Sequence, residues 1–304
     1  MTDTRTNARP ASRWMGVVLS VAVGAAPVLA HAQPVDLFVE RTVMTAADDR
    51  CGLFAPEVAT ALASAAVQAR GAALRAGMTP ASLAAFERGA RAKGARVDCA
   101  SRDVMIAAQR VRDAFSGFSR MTRISYPGDL AGWQADRASG RAPRWRLKQE
   151  TRFGADSMAF GLAGREAPGA LLAVARFADG STPYTARLLM RDGERSSGAY
   201  LDRWGSGATG RLPLDRRLPP RAHLTSFVAE ARSPAGADLL PQDAKAGWAF
   251  RFPAGAAREL ASLDPREAVL VEFLFVDGRQ PVRQAYVEVG DFAAGRAFLQ
   301  LAER

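Results

Sequence analysis

Apolar positions along the chain recur in two rhythms, and the change from one to the other falls near residue 140. Before it the period is helical. Val58, Leu62, Ala65, Ala69 and Ala73 stand three and four residues apart, which places small side chains on one face of a helix opening near Pro56-Glu57. Gly77 breaks that helix, and Thr79-Pro80 opens another. The threonine hydroxyl can accept from a free first-turn amide, and proline loses nothing at the first helical position. Leu83, Phe86 and Ala90 give this second helix an apolar side, and Gly94 offers a stop. Ser101 then caps a third helix with Asp103 in its first turn. Its Val104, Ala108, Val111, Phe115 and Phe118 form the cleanest stripe in the chain.

Beyond Pro143 the period is two. Trp145, Leu147, Gln149, Thr151 and Phe153 alternate with Arg, Lys and Glu, Gly154-Ala155-Asp156 turns the chain, and Met158, Phe160 and Leu162 alternate back. Further strands are predicted at residues 170–177, 184–190, 224–231 and 248–252, a short helix at 254–263, and a strong hairpin from 268–276 and 282–289. Asp291 is expected to cap a last helix carrying Phe292, Phe298, Leu299 and Leu301. Many short strands joined by Gly and Pro turns predict an α+β protein, an amino-terminal helical region followed by an antiparallel β-sandwich with a C-terminal helix. The breakers of Ala138-Ser139-Gly140-Arg141-Ala142-Pro143 mark a linker at 138–143 between a helical region, 33–137, and the sandwich, 144–304.

The two cysteines, Cys51 and Cys99, bracket the first two of these helices. If the helices run antiparallel, their outer ends return together and the sulfurs meet. The disulfide is expected, with a pair of free buried cysteines as the rival. Compartment enters through residues 1–32, where Arg5, Arg9 and Arg13 precede an apolar run from Trp14 to Leu29 and then Ala30-His31-Ala32. The run contains Pro27 and is short of the about 20 apolar residues of a bilayer span. It reads as a secretory signal cleaved after Ala32, the rival being an uncleaved anchor, and it places the remaining chain in the periplasm or outside the cell.

Charge permits attraction to anionic lipid, lipopolysaccharide, nucleic acid or an acidic protein and does not choose among them. Three arginines and Asp3 in the first 32 residues account for +2 of the net charge of +10, leaving +8 beyond them. Lys93, Lys148 and Lys245 are the only lysines, so the excess is arginine. Such a balance suits an acidic protein or an anionic envelope component, and an ordinary arginine-rich surface equally; no specific nucleic-acid motif is present. The segment from Asp202 to Arg221 concentrates it. Arg203, Trp204, Arg211, Arg216, Arg217 and Arg221 make this the first candidate contact surface, and Arg120, Arg123, Tyr126 and Trp133, arginines beside aromatics, make a second.

The closing run Val287-Glu288-Val289-Gly290-Asp291-Phe292-Ala293-Ala294-Gly295-Arg296-Ala297-Phe298-Leu299 resembles the strand, Gly-x-Phe and amphipathic helix that end exported sandwich proteins of the invasion-associated locus B family. The Cys51 to Trp133 half is similar to exported proteobacterial proteins of no assigned activity. Neither resemblance implies a catalytic residue. The family's cysteine pattern departs from this chain, whose cysteines both lie in the helical part.

Chemistry is bounded mainly by what is missing. Beyond the signal only His223 remains, so histidine-rich zinc sites are excluded if the cysteines are bonded, and Cys-x-x-Cys is absent. Gly-x-Ser-x-Gly does not occur, and no lysine completes Ser-x-x-Lys. Gly205-Ser206-Gly207-Ala208-Thr209-Gly210 spells a dinucleotide fingerprint, but Pro213, Pro219 and Pro220 follow it and no βαβ pattern surrounds it. No cofactor and no metal site are expected. Carboxylates remain: Glu150, Asp156, Glu166 and Glu272 are available for glycan hydrolysis, while Glu272 and Glu288 read as a solvated sheet face. The reading is a non-catalytic exported binding or interaction protein, with a carboxylate-based hydrolase of cell-envelope glycan and a lipid or lipopolysaccharide carrier as alternatives.

Overall fold

The computed structural model describes residues 33–138, 140, 142–165, 169–196, 200–201, 212–276 and 281–300. The signal expected at 1–32, Glu166, Arg203, Trp204, Arg211 and the glycine-rich run 205–210 lie outside them.

Four helices come first. They are α1 (Pro34–Cys51), α2 (Pro56–Arg75), α3 (Pro80–Gly94) and α4 (Arg102–Ser119), of which α3 and α4 carry the side-chain caps read from the sequence. Thr79 Oγ1 accepts from the Ser82 amide at 3.1 Å and Ser101 Oγ from the Val104 amide at 3.3 Å. The helix α1 was not expected. Both α2 and α3 pack on it, and it buries Phe38, Thr42, Met44, Ala46 and Ala47, so no single stripe betrays it. Small residues set the α1–α3 approach: a methyl at Gly94 would stand 2.4 Å from the Val43 carbonyl oxygen. Cys51 and Cys99 form the expected disulfide, with Cα atoms 5.6 Å apart, joining the end of α1 to the turn after α3.

The chain then builds β1 (Arg123–Tyr126), β2 (Trp133–Asp136), β3 (Arg144–Phe153), β4 (Asp156–Gly164), β5 (Ala170–Arg176), β6 (Thr185–Arg191), β7 (Leu224–Val228), β8 (Ala231–Pro234) and β9 (Trp248–Phe252). After α5 (Ala254–Ser262) come β10 (Ala268–Leu274), β11 (Arg283–Glu288) and α6 (Phe292–Gln300). All pairings are antiparallel, in a seven-stranded sheet ordered β1-β2-β3-β4-β5-β9-β8 and a four-stranded sheet ordered β11-β10-β6-β7. One core lies between them. Phe273 of β10 stacks on Phe153 at 5.7 Å and meets Phe177 and Phe250 edgewise or tilted at 5.2 and 5.5 Å, so aromatic rings occupy the space between the sheets.

Three expectations change here. The strand predicted over 224–231 is two strands, β7 in the small sheet and β8 in the large one, because the chain crosses between layers at Ala229-Glu230. The stretch before the expected linker holds β1 and β2, which extend the large sheet beside β3, and Ala32–Arg304 forms one compact unit. Asp291 directs its carboxylate to Arg75 of α2, at 2.9 and 3.0 Å. That pair ties the helical layer to the sandwich where the small-residue face of α2 meets α6. A methyl at Gly71 would lie 3.1 Å from Asp291 Oδ1.

Candidate functional site

The polar residues converge on the outer face of the four-stranded sheet. Along β10 the side chains of Val269, Val271 and Phe273 enter the core, so Leu270, Glu272 and Leu274 face out; on β11 Gln284, Tyr286 and Glu288 do the same. Alternation alone would leave these acids in water. Instead Glu272 and Glu288 are both fully buried, correcting the solvated face read from the sequence.

A returning segment covers them. From Leu212 the chain runs across this face through two 3-10 turns, Leu214–Arg217 and Arg221–His223, before entering β7. Pro213 and Pro220, extended at φ −63° and −53°, precede the two turns and keep the segment from becoming a helix. It is held by its arginines. Arg217, with no exposed surface, donates to Asp129 Oδ2 at 3.0 Å and to the Leu212 carbonyl at 2.8 Å, and lies 3.9 Å from Glu288. Arg221 pairs with Glu272, which also accepts from Arg187 of β6 at 2.6 Å and from Gln284 at 3.2 Å.

Glu288 organises the far end of this face. Its carboxylate accepts from the amides of Asp129, Leu130 and Ala131 at 2.7, 2.8 and 2.9 Å, closing the β1–β2 turn around itself. Gly128 permits the approach, since a methyl there would stand 2.0 Å from the Ala131 oxygen and 2.9 Å from the Glu288 carboxylate. Gln149 of β3 brackets the Glu288 backbone, accepting from its amide at 2.8 Å and donating to its carbonyl at 3.2 Å. Trp133 Nε1 donates to the Val289 carbonyl at 2.9 Å. Charges buried this completely are tolerated because each has hydrogen-bonded partners.

Burial and pairing set the titration behaviour of these acids. Burial pushes the Asp291 and Glu267 carboxyls above their ordinary values, outweighing the favourable Arg75 and Arg191 guanidiniums. For Glu272 desolvation works in the same direction, but hydrogen bonds from Arg187 and Gln284 and the charges of Arg187 and Arg221 hold the carboxyl below the usual range. Burial also lifts the Tyr126 phenol well above an ordinary tyrosine.

Grooves open on the described surface, two of them with charged walls. One, about 610 Å³, runs over the β1–β2–β3 end of the large sheet and is lined by Arg123, Gln134, Asp136, Arg144, Lys148 and Asp238 among others. Within it Arg123 pairs with Asp136 at 2.9 Å, and Lys148 at its margin binds Glu150 at 2.8 Å. The second, about 650 Å³, lies between β3 and β11, with Phe153, Asp156, Asp179, Arg283 and Tyr286 on its walls. There Arg283 clamps both acids, at 2.8 Å to Asp156, and the Arg283 hydrogen bond holds the Asp179 carboxyl well below its ordinary value. His223 Nδ1 is buried with no hydrogen-bond partner, and Thr225 and Ser226 beyond it lie on β7. Among the described residues no group of three or more His, Cys, Asp or Glu could hold a metal ion, and no helix is long and apolar enough to cross a membrane.

The sequence-derived contact surface divides accordingly. Arg216, Arg221, Arg120 and Arg123 are exposed, whereas Arg217, Tyr126 and Trp133 are interior and anchor the fold. Tyr126 and Trp133 alternate inward from β1 and β2, strands too short to show a period. From the sequence Arg187 and Asp129 have no role, and Gln149 has only its place in the alternation of β3. Their only signal was polarity at otherwise ordinary positions, and a partner supplied from far along the chain gives each its role.

The architecture defines an α+β protein, a disulfide-clipped helical layer on an antiparallel two-sheet sandwich with a terminal helix. No protein-family model, curated protein or solved structure matches the chain.

Proposed function

We propose that the chain is an exported, non-catalytic binding protein that engages an anionic envelope component through the outer face of the four-stranded sheet. The carrying observation is the charge arrangement around Glu272, where two guanidiniums share one buried carboxylate and Arg221 remains 67% exposed. Arg187 and Arg221 against Glu272 leave one positive charge at the surface, and on the covering segment exposed Arg216 stands beside exposed Asp215. The Cys51–Cys99 bond supports an oxidising compartment, in keeping with the signal read at 1–32 and with the likeness of the C-terminal run to exported sandwich proteins.

Hydrolysis by paired carboxylates is less well supported. A general acid needs a raised pKa inside a cleft, yet Asp156 and Asp179 in the β3–β11 groove are clamped by Arg283, and the raised acids Asp291 and Glu267 are buried against Arg75 and Arg191. A carrier would require an apolar cavity between the sheets, where aromatic rings stand.

Capture from cell-envelope extract tests the reading. Unit 32–304 should recover an anionic component, with recovery falling as salt rises and lost in the double variant Arg216→Glu with Arg221→Glu. Capture unaltered by those reversals, or turnover of cell-wall glycan by the purified protein, would overturn it.

A further inference from the structure

The edge that β11 gives to the small sheet is only partly closed. The Val289 amide donates to the Glu267 carbonyl at 3.0 Å, so the antiparallel register turns the main-chain groups of Val287, Ala285 and Arg283 toward β10. Those of Glu288, Tyr286 and Gln284 point the other way. Gln149 already occupies the first of these outward pairs, its side-chain amide accepting from the Glu288 N–H at 2.8 Å and donating to the Glu288 carbonyl at 3.2 Å, as a neighbouring strand would. The main-chain N–H and C=O of Tyr286 and Gln284 have no partner among the described residues.

The groove of about 650 Å³ between β3 and β11 runs beside these open groups. Its other wall is the end of the β3–β4 hairpin, from Thr151 to Asp156, and Leu214 adds an apolar side. Thr151 and Phe153 are half-buried, on the face of β3 that also sends Leu147 into the core. Arg152 and Arg283 balance Asp156 and Asp179 among the described lining residues, so charge selects no ion here. At β8, an edge of the large sheet, Pro234 and exposed Arg232 guard against strand pairing, whereas β11 carries no proline. A second copy joined edge to edge is a poor occupant, because each β3–β4 hairpin end stands beside its own β11 where the other sheet would have to lie.

We infer that β11 is a docking edge for an extended polypeptide, which joins the four-stranded sheet as a further strand. Running antiparallel, as the strands of this fold do, it exchanges a pair of hydrogen bonds with Tyr286 and another with Gln284, and sets every second side chain over Thr151 and Phe153. Affinity comes from the main chain. The partner is therefore defined by an extended backbone with apolar residues at alternate positions. This edge is separate from the anionic site at Arg216 and Arg221 and does not depend on it.

Selection from a displayed library of random decapeptides against unit 32–304 checks it. Enriched peptides should carry apolar residues at every second position, and amide exchange at Tyr286 and Gln284 should slow when they bind, while Ala285 and Val287, bonded to β10, are slow throughout. N-methylation of a selected peptide at alternate residues should weaken binding at least about tenfold in one phase and leave it intact in the other. Gln284→Pro, which removes one edge N–H at a position where proline is tolerated, should also weaken it about tenfold. Gln284→Ala, which loses the same side chain and its bond to Glu272, should bind as the native chain does. No enrichment, equal loss in both methylation phases, protection appearing away from β11, or a dimer paired through this edge would overturn the inference. If Gln284→Pro does not fold, exchange on the native chain and the methylated peptides decide the matter. Failure of envelope capture removes the anionic ligand and leaves this edge standing, because the peptide probe needs no charge.

Discussion

Replacing Glu288 with alanine would strip the acceptor from three amides of the β1–β2 turn and leave Arg217 with less compensation at a site with no exposed surface. Breaking a buried charge network of this kind costs about 3–5 kcal/mol, so Glu288→Ala should shift the urea midpoint accordingly at neutral pH. Asp291 makes a different prediction. Its folded carboxyl, like that of Glu267, is held above the ordinary value, so the native state takes up these protons before the unfolded chain does. The stability they contribute is fully present below the unfolded pKa and is lost as pH rises through the folded one. Glu272 behaves oppositely, contributing above its unfolded value and losing that contribution as pH falls through its lowered one. Acidification from neutrality therefore sets gains at Asp291 and Glu267 against losses elsewhere. Asp291→Asn should deepen the loss of stability between neutrality and about pH 4, read from urea midpoints across that range. A flatter profile in the variant would refute the assigned direction.

Elements are stabilised by different means on the two sides of the chain. The helices α1 to α3 bury small cores around Phe38, Leu74 and Leu83, and the disulfide closes a 48-residue separation across them. On the chain-entropy model such a closure is worth about 4 kcal/mol, so Cys51→Ser with Cys99→Ser should lower stability by about that amount while retaining helical circular dichroism in native buffer. A thiol label should add nothing to the oxidised protein. The same contrast explains which elements could be read from sequence. Strands β3 and β4 carry apolar residues at every second position, β10 is a near-continuous apolar run, and α2 to α4 carry caps or stripes, so their patterns survive without knowledge of neighbours. Helix α1 is packed from two sides, and β1, β2 and β8 are four residues each, too short for a period to register.

At the scale of the whole molecule, Arg75 is the principal charged tie between the helical layer and the sandwich, holding Asp291 in a two-point clamp and reaching Asp129 at 4.0 Å. Arg75→Met keeps the packing volume but removes both ties. Amide exchange in α1 to α3 should then accelerate at least about tenfold while β4, β5 and β10 change little. Uniform acceleration would instead mean that the layers open only together. By itself the sequence determined the α+β class, the disulfide, three of the four leading helices and the main strands, because each depends on spacing, caps or cysteine count within a short stretch. Only the tertiary structure decided that Glu272 and Glu288 are buried, and that Arg217 is an anchor while Arg216 and Arg221 stay exposed. Those outcomes follow from which distant segment crosses a given sheet. A segment's own polarity pattern records whether it can be covered, and the covering itself is chosen by partners 50 or more residues away, as for Arg221 and Glu272 at a separation of 51.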